Sequence, residues 1–237
     1  MKQRLTPSLA GLLLASTLAI GGCAGSYTPI RPQRLATYQA VSGPAPLQFA
    51  YQFDALRTRG GNKKYVKKEL KRGYHVVAVR ITNTTAAEVN FSRDAVLYFG
   101  DRPVIPVSNE IAAQDMKQGV FIYLLYLLLN FNVGGTTTTS YSGQTTTTGG
   151  TFIPTGPFIA GGNILGASLA NKNFQQELTQ YDLTNRNIHP GETVYGLVCL
   201  RETGLSPLRL ELRTMAAGTP PSPVAPALPP AATPSRD

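Results

Sequence analysis

Hydrophobic and polar positions along this chain fall into three regimes, and the first is alternation. Leu47 to Phe53 (LQFAYQF) places Leu47, Phe49, Tyr51 and Phe53 on one face of an expected strand. Tyr74 to Thr85 (YHVVAVRITNTT) is the clearest strand, rich in β-branched residues and closed by Asn83 and the threonines after it. Val89 to Phe91, Ala95 to Phe99 and Val104 to Val107 continue the pattern around a turn at Gly100-Asp101. A last pair, Val194 to Arg201 and Leu208 to Arg213, follows the turn His189-Pro190-Gly191-Glu192. Short strands at this spacing predict an antiparallel β-sandwich over residues 47–215.

The second regime interrupts the first over residues 108–181. Ser108 is placed to cap a helix through Glu110, Ile111, Ala112, Ala113 and Met116. Val120 to Leu129 (VFIYLLYLLL) is apolar on every face but too short to span a bilayer. Two blocks of four threonines, flanked by glycine pairs, predict a mobile low-complexity loop at residues 134–151. Phe158 to Ala170 (FIAGGNILGASLA) then sets Gly162, Gly166 and Ala170 four residues apart, a small-residue stripe that admits a close helix, and an amphipathic piece from Phe174 to Leu183 leads back to the strands. A hydrophobic helical hairpin inserted in a mainly β domain is the expectation. Two destinations for its apolar surface stay open. It packs on the sandwich or on an envelope partner or second copy through residues 119–171, or it enters the bilayer partway with Tyr123, Tyr126, Asn130 and Asn132 at the interface. A soluble monomer does not leave such a surface bare.

The third regime lies at the ends. Lys2 and Arg4 precede an apolar run from Leu9 to Ile20 whose length suits a cleaved secretory segment, and the run stops at Ile20-Gly21-Gly22-Cys23. Those four residues resemble the lipobox of bacterial lipoproteins. The resemblance implies a signal peptide at 1–22, cleavage between Gly22 and Cys23, and an N-acyl diacylglycerol on Cys23 as the only covalent group, with no other cofactor. Ala24 in place of an aspartate, and no acid in Ala24-Gly25-Ser26-Tyr27, imply an outer-membrane lipoprotein facing the periplasm. Residues 23–46, broken by Pro29, Pro32, Pro44 and Pro46, read as an extended lipidated tether. The Pro/Ala-rich stretch 216–237 reads as a disordered tail.

Charge adds one feature. The net charge of +9 falls by two to +7 once Lys2 and Arg4 leave with the signal peptide. Much of the excess sits in RTRGGNKKYVKKELKR, where Arg57, Arg59, Lys63, Lys64, Lys67, Lys68, Lys71 and Arg72 surround the lone acid Glu69. On a membrane-anchored domain these residues meet anionic head groups, or they form a solvated hairpin rim or lysine-blunted edge strand. Nucleic acid is a poor partner in the periplasm.

Catalytic chemistry finds little support. Cys199 lies in an apolar run and reads as a small buried hydrophobe. Two cysteines, one of them the lipidated one, leave no internal disulfide, and two histidines exclude a histidine-rich metal site. Gly166-Ala167-Ser168-Leu169-Ala170 approximates the nucleophile elbow of α/β-hydrolases, with Asp182 and His189 in the matching chain order, but the strand, turn and helix context is missing. The pattern of VVAVRITNTT with IHPGETVYGLVCL resembles immunoglobulin-like modules of exported bacterial proteins, which bind, space or brace. The expectation is a non-catalytic, lipid-anchored envelope protein with a structural or binding role. The alternatives are an envelope serine hydrolase using Ser168, or an accessory subunit of an envelope complex.

Overall fold

Two antiparallel sheets enclose the first core. In the computed structural model, which describes residues 24–41 and 46–213, β1 (Gln39–Ala40), β2 (Leu47–Gln52), β3 (His75–Asn83) and β12 (Thr193–Leu200) form one sheet in the order β1-β2-β3-β12. Facing it is a smaller sheet, ordered β13-β5-β6, of β5 (Ala95–Phe99), β6 (Arg102–Val104) and β13 (Leu208–Leu212). The alternation of β2 delivers Leu47, Phe49 and Tyr51 to this core, where Val79 and Ile81 of β3 and Leu97 and Leu210 of the smaller sheet meet them. Ile81 pairs with Val194, and Val77 with Val198, so both strands present the same face. Gly196 of β12 has no side chain because Leu183 lies over it, and an added Cβ would collide with the Leu183 side chain. A bridge between Val107 and Cys199 ties the chain leaving β6 to the larger sheet.

The other face of the larger sheet carries a second core, which explains why β3 is buried on both sides. Val76 and Ala78 point away from Val77 and Val79 and pack with Leu197 and Cys199 of β12 under a layer of helices. That layer comprises α1 (Lys63–Arg72), α3 (Asn109–Met116) and α4 (Thr155–Gln180); a single-turn α2 (Phe91–Asp94) lies apart, capped by the Asn90 side chain. Tyr65 of α1, Ala112 and Met116 of α3 and Phe174 and Leu178 of α4 fill the core. The protein is therefore mixed α/β on antiparallel sheets rather than mainly β.

Several local expectations need correction. The basic tract is neither a hairpin rim nor an edge strand: it forms α1, because Tyr65 and Glu69, four apart, bury one face while the lysines around them reach solvent. Gly73 ends that helix in the left-handed conformation at φ 68°, with Lys71 and Arg72 complementing the dipole of the last turn. The apolar run folds as a 3-10 helix, Phe121–Leu128. The chain from Thr155 to Gln180 is one unbroken helix where two pieces were expected. The threonine-rich stretch is paired rather than loose: β8 (Thr136–Thr139) meets β9 (Thr145–Thr148), and β7 (Phe131–Val133) meets β10 (Thr151–Ile153). β-Branched threonines favour this extended pairing despite their polarity. Val89 pairs in the short β4 (Val89–Asn90), against β11 (Asn187–Ile188), but Phe91 begins α2 instead of extending the strand.

The signal peptide 1–22, the cleavage at Gly22, the lipidated Cys23, residues 42–45 of the tether and the tail 216–237 lie outside the described residues.

Candidate functional site

The first turns of α4 and the 3-10 helix form an arm whose outer surface is apolar. Pro157 in the first turn suits a helix start, and Gly156 lets that start approach the end of the 3-10 helix. A Cβ on Gly156 would strike the carbonyl oxygens of Tyr126 and Leu127, the latter at 2.6 Å. Thr155 Oγ1 closes the junction by donating to the Leu129 carbonyl at 2.9 Å. Beneath the arm, Tyr123 is buried and its hydroxyl accepts from Lys64 Nζ at 2.6 Å, tying the arm to α1. Outside, Phe121 is 82% exposed, Leu128 80% and Phe158 75%. Leu165 and Leu169 extend this face along α4, opposite the inward-facing Asn163, Ala167 and Ala170. Beyond Ala170 the outward positions Lys172, Asn173 and Gln176 are polar, so the apolar face stops midway along the helix. Among the described residues, no helix is long and apolar enough to cross a membrane.

Against this arm lies the segment that follows Cys23. Residues 24–31 were expected to be a free tether; instead four buried polar side chains from separate parts of the chain hold their backbone. Asn163 Oδ1 accepts from Ala24 N at 2.6 Å. Gln118 bonds both backbone groups of Gly25, accepting at 3.1 Å and donating at 2.7 Å. Asn62 does the same for Thr28, at 2.8 and 2.9 Å. Glu177 accepts from Ile30 N at 2.9 Å, Arg31 N at 2.7 Å and the Tyr27 hydroxyl. Burial, reinforced by the Glu177 carboxylate, raises the Tyr27 hydroxyl far above its ordinary value and keeps it a donor. The Tyr27 ring packs against Tyr65 and Phe174, with centroids 5.3 Å from each, and those two rings touch each other at 4.6 Å. The described chain continues through a 3-10 turn, Pro32–Arg34, into β1.

This docking also revises the small-residue stripe. Gly162 faces open space, Ala170 is buried in the second core, and Gly166 receives residue 24: a Cβ on Gly166 would lie 3.3 Å from that of Ala24. The stripe accommodates the start of the segment rather than a second helix.

The basic residues divide. Lys64 supports Tyr123, whereas Lys68 and Arg72 line an open cleft between α1 and α4 together with Lys117 and Lys172. Lys63, Lys67 and Lys71 are exposed on α1, and Arg57 and Arg59 are exposed before it. Within the same helix Glu69 is buried, and its Oε1 accepts from Val76 N at 2.7 Å. Burial pushes its carboxyl up to about 7, with Asp54 adding to the rise and Arg57 and the Val76 bond opposing it. The sequence reading missed Glu69 as an interior group because lysines surround it.

Ser168 lies on an exposed face in the middle of α4, with no strand-to-helix turn around it. His189 Nδ1 pairs with Glu88 at 2.9 Å and Asp182 Oδ1 accepts from Thr184 N, so these two residues of the hydrolase pattern have local partners other than Ser168. Cys199 is fully buried, and its thiol is raised by that burial. Among the described residues, no group of three or more metal-ligating side chains occurs. Compared with known protein families, curated proteins and solved structures, the chain matches none.

Proposed function

We propose that the protein is a non-catalytic, lipid-anchored envelope protein that seats its domain on a membrane leaflet. Cys23 carries the acyl chains, and the 3-10 helix with α4 acts as a hydrophobic helical hairpin lying in the interface. The paired sheets form an immunoglobulin-like brace held above it, on the periplasmic face of the outer membrane.

One observation carries this reading: Ala24 is held on α4 by Asn163 and against Gly166, on the flank between the helix's buried face and the exposed face of Leu165 and Leu169. A lipid on the preceding residue is therefore tethered one residue from the helix that carries the apolar face. Each buried methylene contributes about 0.8 kcal/mol, and the arm adds aromatic and leucine side chains to the same surface. The arm lies in the leaflet rather than crossing it, its packed side upward and its exposed side among acyl chains.

Metabolic labelling with an alkyne fatty acid tests the anchor. Label is expected on the intact chain and lost in Cys23→Ser; label retained in that variant rejects the anchor. Flotation of Cys23→Ser with neutral phosphatidylcholine vesicles tests the arm separately. Binding that falls on substitution of Phe121, Leu128 and Phe158 by serine supports the seat. A protein that stays in solution as a stable oligomer assigns the arm to contacts between copies.

A further inference from the structure

The cleft between α1 and α4 has a composition that matches one kind of ligand. Its volume is about 560 Å³, and Lys68 and Arg72 of α1, Lys172 of α4 and Lys117 at the C-terminal end of α3 bring cations to it. Asp115 is the single carboxylate on its wall, and it already accepts from the Tyr74 hydroxyl at 2.8 Å. Among the described residues, neither Lys68, Arg72 nor Lys172 forms an ion pair with an acid. Lys117 donates to the neutral Gln114 side chain. Four cations around one committed carboxylate leave a strong positive field in a partly enclosed space.

Position narrows the ligand further. Phe121, the most exposed aromatic residue of the 3-10 helix, forms part of the same wall, so the cleft opens where the charged body meets the apolar arm. Lys172 comes just after the last outward leucine of α4, Leu169. A head group at this boundary has its phosphate among the cations and its acyl chains directed along Phe121. A free phosphate uses only half of that arrangement.

The geometry points to a binding site for the phosphate of an anionic phospholipid in the cleft lined by Lys68, Arg72, Lys117 and Lys172. This inference rests on the membrane-seated reading of the arm and adds a defined head-group contact to it. Such a contact orients the domain about the leaflet normal, because it lies to one side of the segment holding residue 24.

The test uses the chain from residue 23 onward carrying Cys23→Ser, so that acylation does not mask the contact. Flotation compares vesicles of phosphatidylcholine with vesicles containing phosphatidylglycerol. Partitioning is expected to rise roughly tenfold with the anionic lipid, as a few basic groups near such a surface allow. Lys68→Gln/Lys172→Gln should remove most of that increment. Lys63→Gln/Lys67→Gln, which removes equal charge from the exposed side of α1, should retain it. Equal losses in the two double variants overturn the site in favour of diffuse attraction. Binding to neutral vesicles with no anionic increment overturns it and leaves the arm reading intact, whereas binding to neither kind overturns both. Competition of the anionic increment by millimolar inorganic phosphate at constant ionic strength assigns the cleft to the free ion and rejects the lipid.

Discussion

Ala24 and Asn163, separated by 139 positions, are joined by a 2.6 Å hydrogen bond from the backbone amide of one to the side-chain oxygen of the other. That bond begins a series ending at Glu177, and it joins the start of the described chain to the middle of its longest helix. Asn163 also donates to the Ile159 carbonyl, which fixes which way its amide points. The segment is thus a structural part of the helical layer.

Glu177→Ala is the sharpest test of that attachment. It leaves the Tyr27 hydroxyl and the Ile30 and Arg31 amides without their acceptor in a buried setting, at a cost of roughly 3 kcal/mol. Denaturant unfolding should show the loss, and hydrogen exchange should accelerate at Ile30 and Arg31 well beyond the change at Val79. Unchanged exchange at those two amides would mean the segment is not held there.

Glu69 makes stability depend on pH in the direction opposite to most carboxylates. Its folded value of about 7 lies above that of an unfolded chain, so the native state holds the proton more tightly. The contribution is complete below the unfolded value of about 4.5 and is lost as pH rises through about 7, amounting to roughly 3 kcal/mol. Glu69→Gln keeps an acceptor for Val76 N and should flatten the stability profile between pH 5 and 8. An identical slope in wild type and variant would reject this assignment.

Two glycines of α4 should respond oppositely to alanine. Helix propensity alone favours alanine by about 1 kcal/mol, and Gly162, facing open space, should gain up to that amount. At Gly156 the new methyl strikes backbone carbonyls that cannot turn aside, so a loss of about 1–3 kcal/mol outweighs the propensity gain. Thermal unfolding of Gly156→Ala and Gly162→Ala should move the midpoint down and up respectively.

Phe158→Ser separates folding from surface function. Its ring is 75% exposed, so the substitution should change unfolding free energy by less than about 0.5 kcal/mol. Neutral-vesicle binding should nonetheless weaken severalfold. A large fall in thermal midpoint would instead mean that the ring is packed in the free protein.

The strands were legible because alternation reports burial directly: Leu47, Phe49 and Tyr51 fill the core that their spacing announces. The helical layer was less so. In α1 the lysines dominate the composition, and only Tyr65 and Glu69, four residues apart, betray the buried face. Pro29 and Pro32 disguised the docked segment as a linker, although Tyr27 and Ile30 beside them are core residues. Its partners lie 34 to 150 positions away and act through single side chains, which no local period records. One signal was present: Asn163 interrupts FIAGGNILGASLA, and a polar residue at the centre of so apolar a run has a backbone or ligand to satisfy.

The clamp on residues 24–31 also bears on how the domain is turned over. A protein on a slack stalk is shed when a protease cuts the stalk, and the released domain remains folded. Here Tyr27 and Ile30 are part of the second core, and the amides beside them are occupied. A protease cannot draw this segment into an extended substrate conformation until the segment lifts away, which uncovers Tyr65 and Phe174. Cleavage within residues 24–31 is therefore coupled to local unfolding, and a cut there leaves the second core damaged rather than a trimmed, intact domain.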